Sequence, residues 1–105
     1  LTKFLKKGET YVKGEIMLER AKERGQMAGQ CHAERMLGMV SQIPASWQDF
    51  VLVFPGTVWQ DALGLRFVPV LFWCGDAWDL RWFWLGRDWD RDSRLVRVSQ
   101  PQIVL

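Results

Sequence analysis

The sequence lacks most of the features that assign a chain directly to a chemical class. It contains one histidine, two cysteines and four prolines. Its longest uninterrupted apolar run, residues 67–74, is much shorter than the ~20 residues of a membrane-spanning helix. The cysteines, Cys31 and Cys74, form neither a C-x-x-C motif nor a disulfide framework. We therefore expect no membrane segment, no metal site and no other cofactor.

The N-terminal part of the chain has no aspartate, and the C-terminal part has no lysine or glutamate. Every acid up to residue 40 is glutamate, and every base after that position is arginine. Because lysine and glutamate favour helices whereas aspartate favours turns, this division predicts helices first and a sheet afterwards. The formal net charge of +2 is too small to indicate a polyanionic partner, and no RNA-binding motif is present. Nucleic-acid binding is therefore not expected.

Motifs for nucleophilic catalysis and phosphate binding are also missing, since the glycines are scattered singly. Residues 31–34 contain the H-A-E pattern of zinc-dependent deaminases, but the P-C-x-x-C pair that supplies the other ligands is absent. Residues 88–92 begin like an EF-hand loop, yet Ser93 and Ser99 stand at its glycine and glutamate positions. We interpret His32 as an ordinary helix residue and residues 88–92 as part of a solvated loop whose arginines balance its acids.

What the chain does have is tryptophan, seven residues in all. Several of them surround the dipeptide Gly75-Asp76, which is flanked by two runs rich in β-branched and aromatic residues. Glycine followed by a small polar residue suits the type II′ turn of a two-residue hairpin. Pairing outward from this turn places Trp73 opposite Trp78, and alternate side chains then share a face of the sheet.

The predicted hairpin has two faces, and both are too apolar for water. The first face consists of Phe67, Pro69, Leu71, Trp73, Trp78, Leu80, Trp82 and Trp84. The second face consists of Arg66, Val68, Val70, Phe72, Cys74, Ala77, Asp79, Arg81, Phe83 and Leu85. A solvated antiparallel sheet would keep one polar face, so each of these faces needs a cover.

We predict a single α+β domain over residues 1–105. Its helical part occupies residues 1–43, and its antiparallel sheet occupies residues 50–105. An N-terminal helix or helix pair packs on one face of a four- to five-stranded antiparallel meander.

The predicted helices span about residues 9–24 and 26–40, with Gly25 as the expected break. The other glycines of this region indicate further breaks or close backbone packing. The remaining predicted segments are strands at 50–54, 57–60 and 95–99, a charged loop at 86–93, and a last strand or docking tail at 103–105.

The strongest functional candidates are the tryptophans of the first face, Trp73, Trp78, Trp82 and Trp84. Three interpretations remain open for them: a core against the helices, a subunit interface, or a pocket for a small apolar, aromatic or cationic molecule. Helices that cover one face leave the other to a second subunit, so we expect self-association. The side chains expected in that interface are Phe72, Phe83, Arg66, Arg81 and Asp79, with the charges paired.

The favoured function is a homo-oligomeric binding or interaction module without catalysis. The alternative is a small enzyme whose cleft beside the sheet uses Asp79 and Arg81, with His32 as a further candidate. The cysteines are expected to be buried, reduced thiols, and no signal peptide is visible. These features predict a soluble, cytoplasmic protein.

Overall fold

The computed structural model describes residues 1–25 and 27–96, and its elements confirm the predicted α+β class. In chain order they are β1 (Tyr11–Lys13), α1 (Gly14–Glu23), α2 (Gln30–Leu37), two 3-10 helices (Val40–Gln42 and Ala45–Asp49), β2 (Val51–Val53), β3 (Trp59–Gln60), β4 (Arg66–Trp73), β5 (Trp78–Trp84), β6 (Asp88–Asp90) and β7 (Ser93–Leu95). Strand β4 is the centre of a five-stranded sheet, and β1 and β6 form a two-stranded one.

The central hairpin of β4 and β5 has the predicted register. Trp73 lies opposite Trp78, and the pairing continues without interruption to Phe67 opposite Trp84. Gly75 has a φ of 96°, as the first central residue of a type II′ turn requires, and glycine adopts this conformation without a steric cost. The turn chemistry therefore sets which side chains share each face.

Two short strands share the other edge of β4. Strand β3 pairs with the start of β4, and β2 pairs with its end, both in antiparallel orientation. Strand β7 then lies parallel to β2, with Val51 opposite Ser93. Strands β3, β4 and β5 thus pair in the order in which they follow along the chain, whereas β7 pairs with β2, which is distant in sequence. The parts of the predicted strands at 97–99 and 103–105 lie outside the described residues.

Both helices are shorter than predicted. Residues 11–13, expected in the first helix, form β1 because they pair with β6, and such tertiary pairing overrides a weak local helix preference. Gly25, with a φ of 66°, follows the end of α1 as the expected break. Gly29 and Gly38 are the N-cap and C-cap of α2, so the second helix is confined to the residues between them.

The predicted solvated loop at 86–93 contains strand β6. Trp89 is 1% exposed, and its indole N–H donates to the Leu85 carbonyl oxygen at 3.4 Å. Asp88 and Asp90, on either side, are exposed. A buried tryptophan between exposed aspartates is the alternation of a half-buried strand, and the high charge of the segment obscured it.

The two helices pack on opposite faces of the sheet, whereas the sequence favoured both on one. We name the faces after the helix that covers each of them. The α1 face consists of Arg66, Val68, Val70, Phe72, Asp79, Arg81, Phe83 and Leu85. The α2 face consists of Phe67, Pro69, Leu71, Trp73, Trp78, Leu80, Trp82 and Trp84.

A single chain covers the centre of the α1 face. Val68 and Val70 are both 0% exposed. We call residues 1–10, which precede β1, the N-terminal arm. The core around Val68 and Val70 includes side chains from this arm, β1, α1 and β6, namely Phe4, Val12, Met17, Leu18, Ala21 and Trp89. Burying each large apolar side chain contributes about 1.5–3 kcal/mol. The cover that the sequence assigned to a second subunit is therefore supplied within the chain.

An ion pair holds the N-terminal arm against α1. The guanidinium of Arg20 donates to both carboxylate oxygens of Glu9, at 2.7 and 3.1 Å, and to the Phe4 carbonyl at 2.9 Å. The Lys6 N–H also donates to Glu9, at 2.6 Å. These bonds, led by the one from Arg20, lower the pKa of Glu9 from 4.5 to about 2. A bidentate arginine–carboxylate pair fixes orientation as well as charge.

We expect the stabilising effect of Glu9 to disappear in acid. Because folding lowers the pKa of Glu9, its contribution is complete above pH 4.5 and is lost as the pH falls towards 2. In thermal unfolding followed by circular dichroism, Glu9→Gln should lower the melting temperature at neutral pH, and the difference from wild type should close near pH 2. Glu19→Gln, at an exposed position of α1 outside this pair, is the control. A Glu9→Gln difference that is independent of pH would contradict the prediction.

Candidate functional site

The α2 face has a covered end and an open end. At the covered end, the rings of Trp73 and Trp78 meet edge to face, with centroids 5.8 Å apart. They pack with Ala33 and Leu37 of α2 and with the 3-10 segment. A groove of about 570 Å³ runs beside them, but Trp78 is only 8% exposed. At this end the tryptophans form part of the core.

At the open end, strand pairing gathers aromatic side chains that the described part of the chain leaves exposed or half-buried. Trp59 of β3 lies opposite Phe67 of β4, which in turn lies opposite Trp84 of β5. Trp82 meets Trp59 edge to face, with centroids 5.8 Å apart and ring planes at 83°. Trp59 is 57% exposed and Trp84 is 47% exposed. A contiguous exposed aromatic group of this kind marks a binding surface more often than single exposed residues do.

These side chains form a cleft of about 400 Å³, which we call the aromatic cleft, lined by Gln30, Trp59, Phe67 and Trp82. Gln30 is held in place at the start of α2, because its backbone N–H donates to Thr57 Oγ1 at 2.9 Å. Its side-chain oxygen accepts the Trp59 indole N–H at 3.2 Å, and its amide nitrogen donates to Glu34 at 3.0 Å. One wall of the cleft is therefore fixed by hydrogen bonds.

The indole N–H of Trp82 has no acceptor among the residues that the structure describes. The ring of Trp84, beside the cleft, packs so closely on Gly86 that a Cβ at position 86 would overlap it. The cleft thus combines apolar walls from three aromatic side chains with one polar side chain, that of Gln30. None of the described residues that line it is charged.

The charged candidates of the α1 face find partners within the chain. Arg81 Nε donates to Asp79 Oδ2 at 2.7 Å, and this bond raises the pKa of Arg81 above its ordinary value. Arg66 pairs with Glu15 of α1 at 2.6 Å. The guanidinium of Arg81 also lies 5.8 Å from the ring centre of Phe72. These charges are therefore balanced without a second subunit.

Phe72 and Phe83, the remaining candidates of this face, are half-buried. Their ring centroids are 6.2 Å apart, and both pack against the core beneath α1. The guanidinium of Arg87 lies 4.3 Å from the ring centre of Phe83 and shields it from water. Neither ring contributes to the aromatic cleft, which lies on the other side of the sheet.

The structure does not bring His32 together with Asp79 and Arg81. The two charged residues lie on the α1 face, whereas His32 belongs to the helix that covers the opposite face. His32 Nδ1 accepts the Gly29 N–H at 3.0 Å and so caps the start of α2. Within residues 1–25 and 27–96, no group of three histidine, cysteine or acidic side chains is placed to hold a metal ion.

The two cysteines are unpaired and exposed, so the expectation of buried thiols is wrong. Cys31 lies on the outer side of α2, and Cys74 lies at the end of β4 beside the hairpin turn. Cys31 is exposed because it lies on the side of α2 away from the sheet, and Cys74 is exposed because it adjoins the exposed turn residues 75–77. Among the described helices, none is long and apolar enough to cross a membrane.

The sequence analysis missed Trp59 and Gln30 as site residues. A signal for Trp59 was available, since the segment 57–60 was predicted as a strand that turns directly into β4. Asp61 closes that turn, its carboxylate accepting the N–H groups of Leu63 and Leu65 at 2.9 Å. Gln30 had no comparable signal, because only the packing of α2 brings it to the sheet.

No family model, no curated protein and no solved structure matches this chain. A function must therefore be inferred from the geometry of its own residues.

Proposed function

We propose that the protein is a non-catalytic binding module and that its aromatic cleft takes a small, uncharged ligand with a flat aromatic ring. The observation that carries the proposal is the perpendicular pair of Trp59 and Trp82, open to solvent at the uncovered end of the sheet. One ligand ring can stack on one indole while it presents its edge to the other. Both are favoured arrangements of aromatic rings.

The size and chemistry of the cleft support a ligand of this class. Its volume of about 400 Å³ falls within the range of small-molecule sites, roughly 300–1,000 Å³. A neutral ligand is favoured over a cationic one, because none of the residues that line the cleft carries a carboxylate to pair with a cation.

Titration with indole, followed through the tryptophan side-chain N–H signals in nuclear magnetic resonance spectra, tests this proposal. We expect the signals of Trp59 and Trp82 to shift and that of the buried Trp89 to remain. Trp59→Ala should weaken binding about tenfold or more, since it removes one wall of the cleft. Tyr11→Ala, which removes an aromatic side chain that is 51% exposed on β1, is the matched control.

Two other probes decide the ligand class. Tetramethylammonium represents a cation, and cyclohexanol represents an apolar molecule without an aromatic ring. Preference for either over indole would overturn the ligand chemistry proposed here. Absence of a shift at Trp59 and Trp82 with all three probes would overturn the binding function itself.

The proposal also includes self-association and a cytoplasmic location. The two exposed, unpaired thiols support the location, because such thiols persist in a reducing compartment. The original reason for self-association, an uncovered α1 face, is removed by the burial of Val68 and Val70. A different feature, the free edge of β5, now supports it.

A further inference from the structure

Strand β5 forms one edge of the five-stranded sheet. Within the part of the chain that the structure describes, it pairs only with β4. The Leu85 N–H donates to the Arg66 carbonyl at 2.9 Å, and the Cys74 N–H donates to the Ala77 carbonyl at 2.8 Å. Hydrogen-bonded pairs alternate along an antiparallel ladder. The backbone groups that point away from β4 are therefore those of Trp78, Leu80, Trp82 and Trp84.

An edge of this length is a template for another strand. The common devices that protect edges are proline, lysine, a bulge or a very short strand. Strand β5 has none of them, and its pairing with β4 is continuous from Trp78 to Trp84. Its only charged residues are Asp79 and Arg81, which carry opposite signs and project from the same face.

Building on the proposed self-association, we infer that β5 pairs in antiparallel orientation with β5 of a second copy of this chain, about a two-fold axis at Leu80. In this register Asp79 lies opposite Arg81 of the second copy, and Arg81 lies opposite its Asp79. The outward N–H and C=O groups of Leu80 bond to those of Leu80 in the second copy. A symmetric pairing of this kind uses one strand for both partners.

Charge selects this register over its neighbours. Hydrogen bonding requires outward residues to lie opposite outward residues, so the axis moves in steps of one residue along the strand. An axis at Asp79 would place two aspartates directly opposite each other, and an axis at Arg81 would place two arginines there. Like charges in directly opposed positions are destabilising. An axis at Trp82 would oppose the carboxylate of Asp79 to the buried Leu85.

The same register also matches the α2 face. Trp78 lies opposite Trp82 of the second copy, and Leu80 lies opposite itself. The two aromatic clefts then flank a continuous sheet that contains both hairpins. The side chains of Asp79 and Arg81 are 39% and 62% exposed in the single chain, so they are accessible to the second copy without unfolding.

The test combines two charge reversals, measured by sedimentation at micromolar concentration. Wild type should sediment at twice the 12.3 kDa monomer mass. Asp79→Arg leaves two positive residues on the edge, and Arg81→Asp leaves two negative ones. Each variant alone should associate at least about a hundredfold more weakly, because like charges then face each other across the axis. An equimolar mixture of the two variants should restore the dimer, since opposite charges face each other again.

The mixture distinguishes the loss of contact between two copies from the loss of the ion pair within one copy. Both variants lose the bond between residues 79 and 81 of their own chain, and mixing cannot restore it. Restored mass therefore reports contact between the two edges. Circular dichroism checks that each variant is folded, which the exposure of both side chains favours.

A measurement on the wild type alone guards against variants that fail to fold. Amide hydrogen exchange at Leu80 and Trp82 should slow as the protein concentration rises, whereas Asp79 and Arg81, whose amides already bond to β4, should not change. Unchanged exchange at Leu80, or dimers that survive both reversals, would overturn the edge interface and leave self-association through another surface. A wild-type monomer at every concentration would overturn both. Neither result bears on the binding of indole to the cleft.

Discussion

Val68→Asp is expected to abolish folding, because it places a carboxylate where no water or partner charge can reach it. Val68 is 0% exposed and lies opposite Phe83 beneath α1. An unpaired buried charge costs about 3–5 kcal/mol, which approaches the whole stability of a small domain, about 5–15 kcal/mol. Urea unfolding followed by tryptophan fluorescence should show no folded baseline, or a midpoint far below that of wild type.

Leu63→Asp makes the same chemical change at a position that is 86% exposed. It should alter stability by no more than about 0.5 kcal/mol, as expected for a surface substitution. The pair of variants distinguishes two interpretations of the α1 face. If Val68→Asp stayed folded and only changed the sedimenting mass, this face would be a subunit interface, as the sequence alone indicated, and the intramolecular cover would be wrong.

Gly14→Ala should lower the free energy of unfolding by about 1–3 kcal/mol or more, the range for overpacking a close contact. Gly14 is buried at the first position of α1, where its N–H donates to the Leu85 carbonyl at 2.7 Å. A Cβ on Gly14 would overlap that carbonyl group. Because the obstacle is backbone and not a flexible side chain, α1 must shift away from the hairpin to make room.

Gly38→Ala is the matched control and should act in the opposite direction. Gly38 has a φ of −75° at the end of α2, and an added Cβ would come no closer than 3.5 Å to its neighbours. Alanine there restricts the unfolded chain and should stabilise the protein by about 0.4–1 kcal/mol. Thermal and urea unfolding measure both changes. If both substitutions changed the free energy of unfolding equally, the close approach to Leu85 would not be the reason why position 14 requires glycine.

The hairpin register was predictable because its determinants are local. Gly75 fixes the turn, and each further pair follows from period-two alternation without knowledge of the rest of the fold. The division of side chains between two faces follows from the same local logic. A strand before β4 was also predicted, at 57–60, but only Trp59 and Gln60 pair with β4. Turn chemistry therefore identified the part of the chain on which the aromatic cleft is built.

The covers of the two faces were not predictable in the same way. Strands β1, β6 and β7 are three residues long, too short to show a period of their own, and each pairs with a partner that is remote in sequence. The position of α2 decides that Trp78 is core and Trp84 is exposed, although both belong to the same run of aromatic residues. Composition alone therefore left core, interface and pocket as equal alternatives.

The pairing of β1 with β6, together with the bridge between Thr2 and Leu95, has a consequence for synthesis. Strand β1 must wait for β6 to be synthesised, and the N-terminal arm must wait for β7. Until those strands emerge, the α1 face of the nascent hairpin lacks Trp89 and the closed arm. Non-local pairing of this kind slows folding, so we expect the domain to complete its fold only after translation has passed residue 95.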